Sequence, residues 1–541
     1  MRLLYGPPGP ERPFEQPTAG ARASSGDYWG ACSLETFADV GGLVYTHEDA
    51  GGWLAYLQQF QAENFWFMDG NVKVWKYEET YDNWQDTYGL DAVLAFYHSG
   101  HGNMAGDGTF EAPLGGSWDG RTWAFSRDMR LGNEQANYVF WSTCLSLRVL
   151  DGHDPIRTWQ PANLGFRMLF GFETVSWDDP NYGKNFWNHW KGGESLSTAW
   201  LNASWDIAHD QAPSVVAVGA DATEAQDRLF NERHLTWDHA STAWWWWRWY
   251  NAATAPGELR ALNLDLPDNL VVAELRPHEA GEEQVRGVLR QLGIDAEPPD
   301  EVTTTQDGIF VVPVGEATVT FGPAGAYELR LARPNRGNRS QMATERAIDE
   351  ASRAIERYGL HQEVELAPDR VRVEAEAGAS ADAPASIEGP FVTQTTVQFR
   401  QLINGLPVVT PNAGLVQVSL DNDSTVTAIR VLTRPIERLV DRPKNTVAEP
   451  PAGPAVADEA PPQPAPVSIE RALGDAWSRQ LSAWTANGRG APVTVNIVPD
   501  STEVGYDLRG NEAVLVVQRS VELDLGQGMR KRYRLVAPLV Q

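Results

Sequence analysis

The period of apolar and polar positions changes several times along the chain, and each change predicts an element. "HEDAGGWLAYLQQFQAENF" (47–65) places its apolar residues at helical spacing. "NVKVWKYEE" (71–79) reads as a strand. "DAVLAFYHS", "NYVFWSTC" and "FRMLFGFETV" are short unbroken apolar runs, as expected of strands buried on both faces of a parallel sheet. "NFWNHWKGGESLSTAWLNASWDIA" is helical again, and "PSVVAVGA" is a further strand. Alternating strands and helices over residues 27–255 predict an α/β domain, a mostly parallel sheet flanked by helices.

The texture changes after Pro256, where Trp gives way to Val, Glu and Arg. "GEEQVRGVLRQLGI" predicts a helix, and "GIFVVPVGEATVTFGPAGAYELRLARP" predicts alternating strands joined by Gly turns, together a small α+β module over 256–335. "SQMATERAIDEASRAIERYGL" and the antiparallel strands after it predict a second α+β module over 336–440. "AEPPAGPAVADEAPPQPAP" marks 441–467 as a Pro/Ala-rich linker, and 468–541 predicts a last α+β module. The Pro-, Gly- and Ser-containing residues 1–26 read as a disordered tail.

A chain of 541 residues needs several cores. Its net charge of −28 argues against nucleic acid and anionic membrane surfaces, and favours basic partners or substrates. The N-terminus shows no signal-peptide h-region and no window is apolar enough to span a bilayer. The default expectation is a soluble, cytoplasmic protein, with export left open. Two cysteines, Cys32 and Cys144, exclude a disulfide scaffold and a Cys-rich zinc site, and leave either one bridge or free thiols.

In a parallel sheet, sites form at the carboxyl ends of strands. Two strands here end in chemistry. One runs into His98-Ser99-Gly100-His101-Gly102, the other into Cys144. If they are neighbours, His101 can take the proton of the Cys144 thiol, which activates it as a nucleophile. The amides of Gly102 and Cys144 can then hold an oxyanion, and Gly102 lets the backbone approach the reacting carbonyl.

"AFYHSGHG" followed by "FWSTCLSL" resembles the His-Gly and Cys motifs of caspase-like (clan CD type) cysteine peptidases, a superfamily that includes metacaspases, legumains and gingipains. The similarity covers roughly 27–255 and is strongest to a bacterial branch with Trp-rich strands. It implies a cysteine endopeptidase with His101 as base, Cys144 as nucleophile and Gly102 as the oxyanion glycine. The chain departs from the family pattern in Thr143 before the cysteine and Leu145-Ser146-Leu147 after it. The resemblance places the specificity loop at "ETVSWDDPNYG". There Glu173, Asp178 and Asp179 would line an acidic S1 pocket walled by Trp177, favouring Arg or Lys at P1 of a protein or peptide substrate. No organic cofactor or metal site is implied; calcium is left open by family analogy alone. "TTVQFRQLINGLPVVTPNAGLVQVSLDNDSTVTAIRV" resembles the PepSY-like propeptide modules of thermolysin-type peptidases, which inhibit or chaperone a peptidase. That resemblance implies intramolecular inhibition by the C-terminal modules.

Other features weigh differently. His98 reads as structural, and "DGHDP" and "LDNDST" read as turns. Four consecutive tryptophans in "TAWWWWRWY" cannot all face one core from a helix. Packing at a domain boundary or ligand binding would employ the others. The rival to a peptidase is accordingly a non-catalytic caspase-fold protein that binds glycan or protein through Trp-rich surfaces. A structural or assembly protein built from the C-terminal modules is a third reading.

Overall fold

A computed structural model describes residues 2–3, 11–15, 27–251, 271–276, 282–291, 301–304, 310–314, 317–322, 325–441, 469–486 and 491–539. Most of the expected tail and nearly all of the expected linker lie outside these residues. Within the stretch read as a tail, residues 11–15 pack on the α/β domain: Phe14 is buried in its core and Arg233 pairs with Glu11 at 2.9 Å.

The N-terminal half is α/β, as the alternation predicts. Its strands are β1 (Trp29–Ser33), β2 (Phe65–Met68), β3 (Ala95–Ser99), β4 (Tyr138–Ser142), β5 (Met168–Phe172), β6 (Pro213–Gly219) and β7 (Trp244–Tyr250). In the order β2-β1-β3-β4-β5 they are parallel. β6 and β7 extend the sheet antiparallel. Every residue of β1, β3, β4, β5 and β6 is buried, which is why these strands read as unbroken apolar runs. The strand expected over Asn71–Glu79 is absent. The strand is β2, just upstream, and Asp69–Asn71 and Val74–Lys76 are single 3₁₀ turns. Val72, Val74 and Tyr77 still reach the core, so burial alone produced the strand-like pattern.

The helices flank the sheet unevenly. α1 (Thr46–Leu57), α2 (Tyr182–Lys191), α3 (Leu196–Trp205) and α4 (Ala222–Asn231) contribute to one core with Trp53, Phe140, Phe170 and Trp200. The opposite core is built from Phe110, Trp141 and Trp159, and is roofed by the hairpin Phe110–Trp118/Arg121–Phe125.

The tryptophan run is strand β7, not a helix. Its period of two sends Trp246 into the first core and Trp245, Trp247 and Trp249 into the second. Trp245, Trp246, Trp247 and Trp249 are buried and Trp244 is half-buried, because β7 is paired on both sides, with β6 and with a strand of the C-terminal half.

That strand is β10, and through it the sheet runs on without a break. The added strands are β8 (Ala317–Phe321), β9 (Tyr327–Arg330), β10 (Glu365–Ser380), β11 (Glu388–Ile403), β12 (Leu415–Asp421) and β13 (Val426–Val431), with α5 (Thr344–Arg357) packed on β11 and β12. A separate antiparallel sheet holds β14 (Glu503–Arg509), β15 (Glu512–Asp524) and β16 (Arg530–Pro538), covered by α6 (Ile469–Ala486).

The module expected over 256–335 is not self-contained. Its strand Val271–Leu275 pairs with Ile436–Asp441 and Glu512–Ala513 of the last sheet, while β8 and β9 join the large sheet at β13. Short antiparallel strands carry unpaired edges, and these edges are satisfied by the neighbouring sheets.

Candidate active site

β3 and β4 are adjacent and in register, Ser99 opposite Ser142. Both chains therefore leave the sheet at the same carboxyl edge, and the Gly100 amide donates to the Ser142 carbonyl at 3.4 Å. The two motifs meet at Gly102. A Cβ there would stand 2.7 Å from the Cys144 carbonyl oxygen and 2.9 Å from Thr143 Oγ1, so only glycine fits between them. After β4 the chain turns sharply. Leu145 adopts φ +56°, a left-handed conformation that a non-glycine residue takes at a cost. The turn is held by the Leu145 amide donating to Thr174 O at 3.1 Å and the Leu147 amide donating to Phe172 O at 3.1 Å. Cys144 sits at the tip of this turn. The amides of Gly102 and Cys144, expected to hold an oxyanion, have no acceptor among the described residues.

His101 is fully buried beside the Phe37 ring, at 4.7 Å between centroids. Its Nε2 lies 3.1 Å from the Gly41 carbonyl oxygen, which requires Nε2 to carry the proton. Nδ1 is then the basic nitrogen, and it has no partner among the described residues. Burial, and after it the Lys531 ammonium, push the imidazole down to about 3, so it is neutral at ordinary pH. His98 is tied to the Tyr77 hydroxyl at 2.8 Å and lies against Trp141, a packing role.

Cys144 and Cys32 are both free thiols. Burial pushes Cys32 up to about 11, which makes it inert. Cys144 Sγ receives the Ser176 amide at 3.3 Å and donates to the Arg530 carbonyl oxygen at 3.0 Å. No hydrogen bond joins it to His101 among the described residues.

Arg530 begins β16, and the start of that strand closes the site. The Arg532 amide donates to Ser176 O at 3.4 Å and the Asp178 amide donates to Arg532 O at 3.2 Å, a parallel β-contact with the loop after β5. Between them the Lys531 side chain enters the fold and is 2 % exposed. Its Nζ donates to Ser176 Oγ at 2.9 Å and to Trp177 O at 3.4 Å.

Three of the four residues expected to line an acidic pocket surround this strand. Asp178 accepts from the Val44 amide at 2.7 Å, the Tyr45 amide at 3.3 Å and the Tyr533 hydroxyl at 2.7 Å. Burial raises its carboxyl, and the Lys531 ammonium leads the opposing effects. Trp177 donates Nε1 to Asp210 at 2.7 Å and carries the Arg534 guanidinium over its ring at 4.7 Å. Asp179 caps the next turn by accepting from Asn181, and Arg534 is its nearest cation in effect. Glu173 is the exception: it pairs with Arg148 at 3.2 Å and accepts from the amides of Val149 and Leu150, and does not reach Lys531. It braces the turn after Cys144 instead of lining a pocket.

Ser176, Lys531 and Tyr533 are absent from the sequence-based site. Ser176 gives no motif. The run Arg530-Lys531-Arg532-Tyr533-Arg534, four cations in five residues of a strongly acidic chain, is the signal that would have led to the other two.

The stretches "DGHDP" and "LDNDST" are turns. Asp154 caps a short helix by accepting from the Arg157 amide at 2.8 Å, and Asp421 accepts from the amides of Asp423 and Thr425.

No described helix is long and apolar enough to cross a membrane. Residues 29–250, which hold β1 to β7 and the His101–Cys144 pair, match the profile of a family described as a domain of unknown function (DUF6345). No curated protein matches the chain.

Proposed function

We propose that residues 29–250 form a caspase-like cysteine endopeptidase domain, and that the start of β16 is a plug that keeps it latent. The observation that carries the reading is that Cys144 Sγ lies against the Arg530 carbonyl while the next residue, Lys531, is buried on Ser176 and acts electrostatically on His101. In the open enzyme His101 Nδ1 takes the Cys144 proton as the sulfur bonds to the scissile carbonyl carbon. The free amides of Gly102 and Cys144 receive the oxyanion. The C–N bond then breaks, His101 returns the proton to the leaving amine, and water hydrolyses the thioester.

Two features explain why the resident strand is not cut. The sulfur meets the Arg530 carbonyl through its oxygen, as a hydrogen bond, and not through its carbon. The register is also offset: Lys531 fills the pocket, but the carbonyl at the sulfur belongs to the residue before it. A substrate with Lys or Arg in that pocket and its own carbonyl at Cys144 would satisfy both. Ser176, the Trp177 carbonyl and Asp178 would bind its cation. The similarity of 336–440 to propeptide modules fits a latent enzyme, although in this chain the closing strand comes from the last module.

The rival reading, a binding protein with Trp-rich surfaces, is weaker, because twelve tryptophans are among the largest fully buried side chains. The test is peptide cleavage. Lys531→Ala should cut peptides after Lys or Arg, the unaltered chain should cut them far more slowly, and Cys144→Ala in the Lys531→Ala background should cut none.

A further inference from the structure

A large cavity lies elsewhere, where the α/β domain meets the sheet of the C-terminal half. It measures about 800 Å³ and is lined from α3, β7, β9, β10 and β13. Six arginines line it, Arg248, Arg330, Arg333, Arg336, Arg372 and Arg430, against three carboxylates, Glu194, Glu328 and Glu374. In a chain of net charge −28 this concentration of one sign has a local cause.

The ion pairs within the fold do not consume it. Arg430 grips Asp206 at 2.5 and 3.0 Å, and Arg330 holds Glu328 at 2.9 Å and Glu194 at 3.3 Å. Glu374 is shared by Arg248 at 2.9 Å and Arg336 at 3.4 Å, and Arg336 also reaches Glu376 at 3.7 Å. His189, between Glu194 and Asp206, adds a further positive charge: against burial, those two carboxylates raise it to about 9. Arg372 is left over. It is 7 % exposed and forms no ion pair among the described residues. One Nη donates to Thr396 at 3.2 Å, its face rests on Tyr250 at 3.7 Å, and its Nε has no partner. Glu374 and Asp206 offset its charge only from beyond ion-pair distance, so a buried guanidinium placed here gains from a closer anion.

The remaining lining suits a small organic anion. The N-terminus of α3, capped by Ser195, opens on the cavity with Thr198 and Asn202, where the helix dipole favours negative charge. Gln394, Gln417 and Ser419 add neutral hydrogen-bonding groups, and Phe230 and Tyr250 an aromatic wall. The volume lies within the usual range of ligand pockets. We infer that this cavity is a binding site for a small organic polyanion carrying two or more phosphate or carboxylate groups, with Arg372 and Arg333, which form no ion pair among the described residues, as the first cations to meet it and the ion-paired Arg336 beside them. The inference does not depend on the peptidase reading.

The test uses the intact chain in calorimetric titration and thermal unfolding with pyrophosphate, ATP and citrate, against sodium chloride at matched ionic strength. The expected result is saturable binding of at least one polyanion tighter than ~1 mM, with a rise in Tm that chloride does not reproduce. Preference for ATP or pyrophosphate over citrate assigns a phosphate ligand, and the reverse a polycarboxylate. Arg372→Met should weaken binding at least about tenfold, the scale of one charge-assisted contact. Should that variant fail to fold, Arg336→Gln and the exposed Arg333→Ser provide the same readout, each expected to weaken binding severalfold. Absence of saturable binding to all three anions, or binding unchanged in the variants that fold, overturns the inference.

Discussion

The Cys144 sulfur lies 3.0 Å from the carbonyl oxygen of Arg530, 386 residues later in the chain. The contact closes the edge of the α/β sheet with the first residues of β16, and it converts an exposed strand end into a buried one. Cys144 is 1 % exposed and His101 is fully buried. Access to the thiol therefore requires β16 to move, which makes the hydrogen bonds of Lys531 and Arg532 the natural points of attack.

Gly102 is the tightest joint between the two motifs. A methyl group there would overlap the Cys144 carbonyl oxygen and the Phe110 ring, at 2.7 and 2.6 Å. Gly102→Ala should lower stability by about 1–3 kcal/mol, as overpacking does. In the Lys531→Ala background it should also abolish peptidase activity. Denaturant titration and peptide cleavage check the two parts.

Asp178 and Glu173 should separate cleanly. In the Lys531→Ala background, Asp178→Asn should reduce kcat/KM for Lys or Arg substrates by about ten- to a hundredfold, the worth of a buried charge-assisted contact. Glu173→Gln should leave the preference for basic residues intact. It should lower stability by about 1–3 kcal/mol, because the one remaining carbonyl oxygen can accept from Arg148 or from the two amides but not from both.

Acid should loosen the closed form. His98 and His101 are held at about 3, against an unfolded value near 6.5. Below 6.5 the unfolded chain binds protons that the folded chain refuses, so stability falls as pH drops. Each histidine contributes at most about 1.4 kcal/mol per pH unit over that window. His189 has the opposite sign: raised to about 9, it contributes stability that is full below about 6.5 and is lost as pH rises through 9. Urea unfolding between pH 4 and 10 should show a decline on both sides. His98→Asn should flatten the acid limb, and His189→Asn should flatten the alkaline one.

Much of the α/β half was legible because its strands are buried on both faces. "LAFYHS" and "YVFWST" could be read as strands, and the residues just beyond each, His101-Gly102 and Cys144, had to lie at a sheet edge. Residues 71–79 misled for the same reason, since Val72, Val74 and Tyr77 are buried from 3₁₀ turns and not from a strand. The tryptophan run was illegible as a helix problem. Its solution is a strand paired on both sides, and the second partner, β10, begins more than a hundred residues later. The contact of β16 with Cys144 was hidden by the same kind of distance. Nothing local to Ser176 or Asp178 announces Lys531, and only the cluster of cations at 530–534 stood out against an acidic chain.

On the proposal that Cys144 is an activated nucleophile held under β16, the direct measurement is its alkylation by iodoacetamide as a function of pH. The rate is compared in the intact chain and in Lys531→Ala, each with and without His101→Ala, with Cys144→Ala as the blank. The intact chain should label slowly. Lys531→Ala should label at least about tenfold faster, and His101→Ala should abolish that gain. Labelling of Lys531→Ala that stays slow, or that is fast whether or not His101 is present, would contradict the proposal.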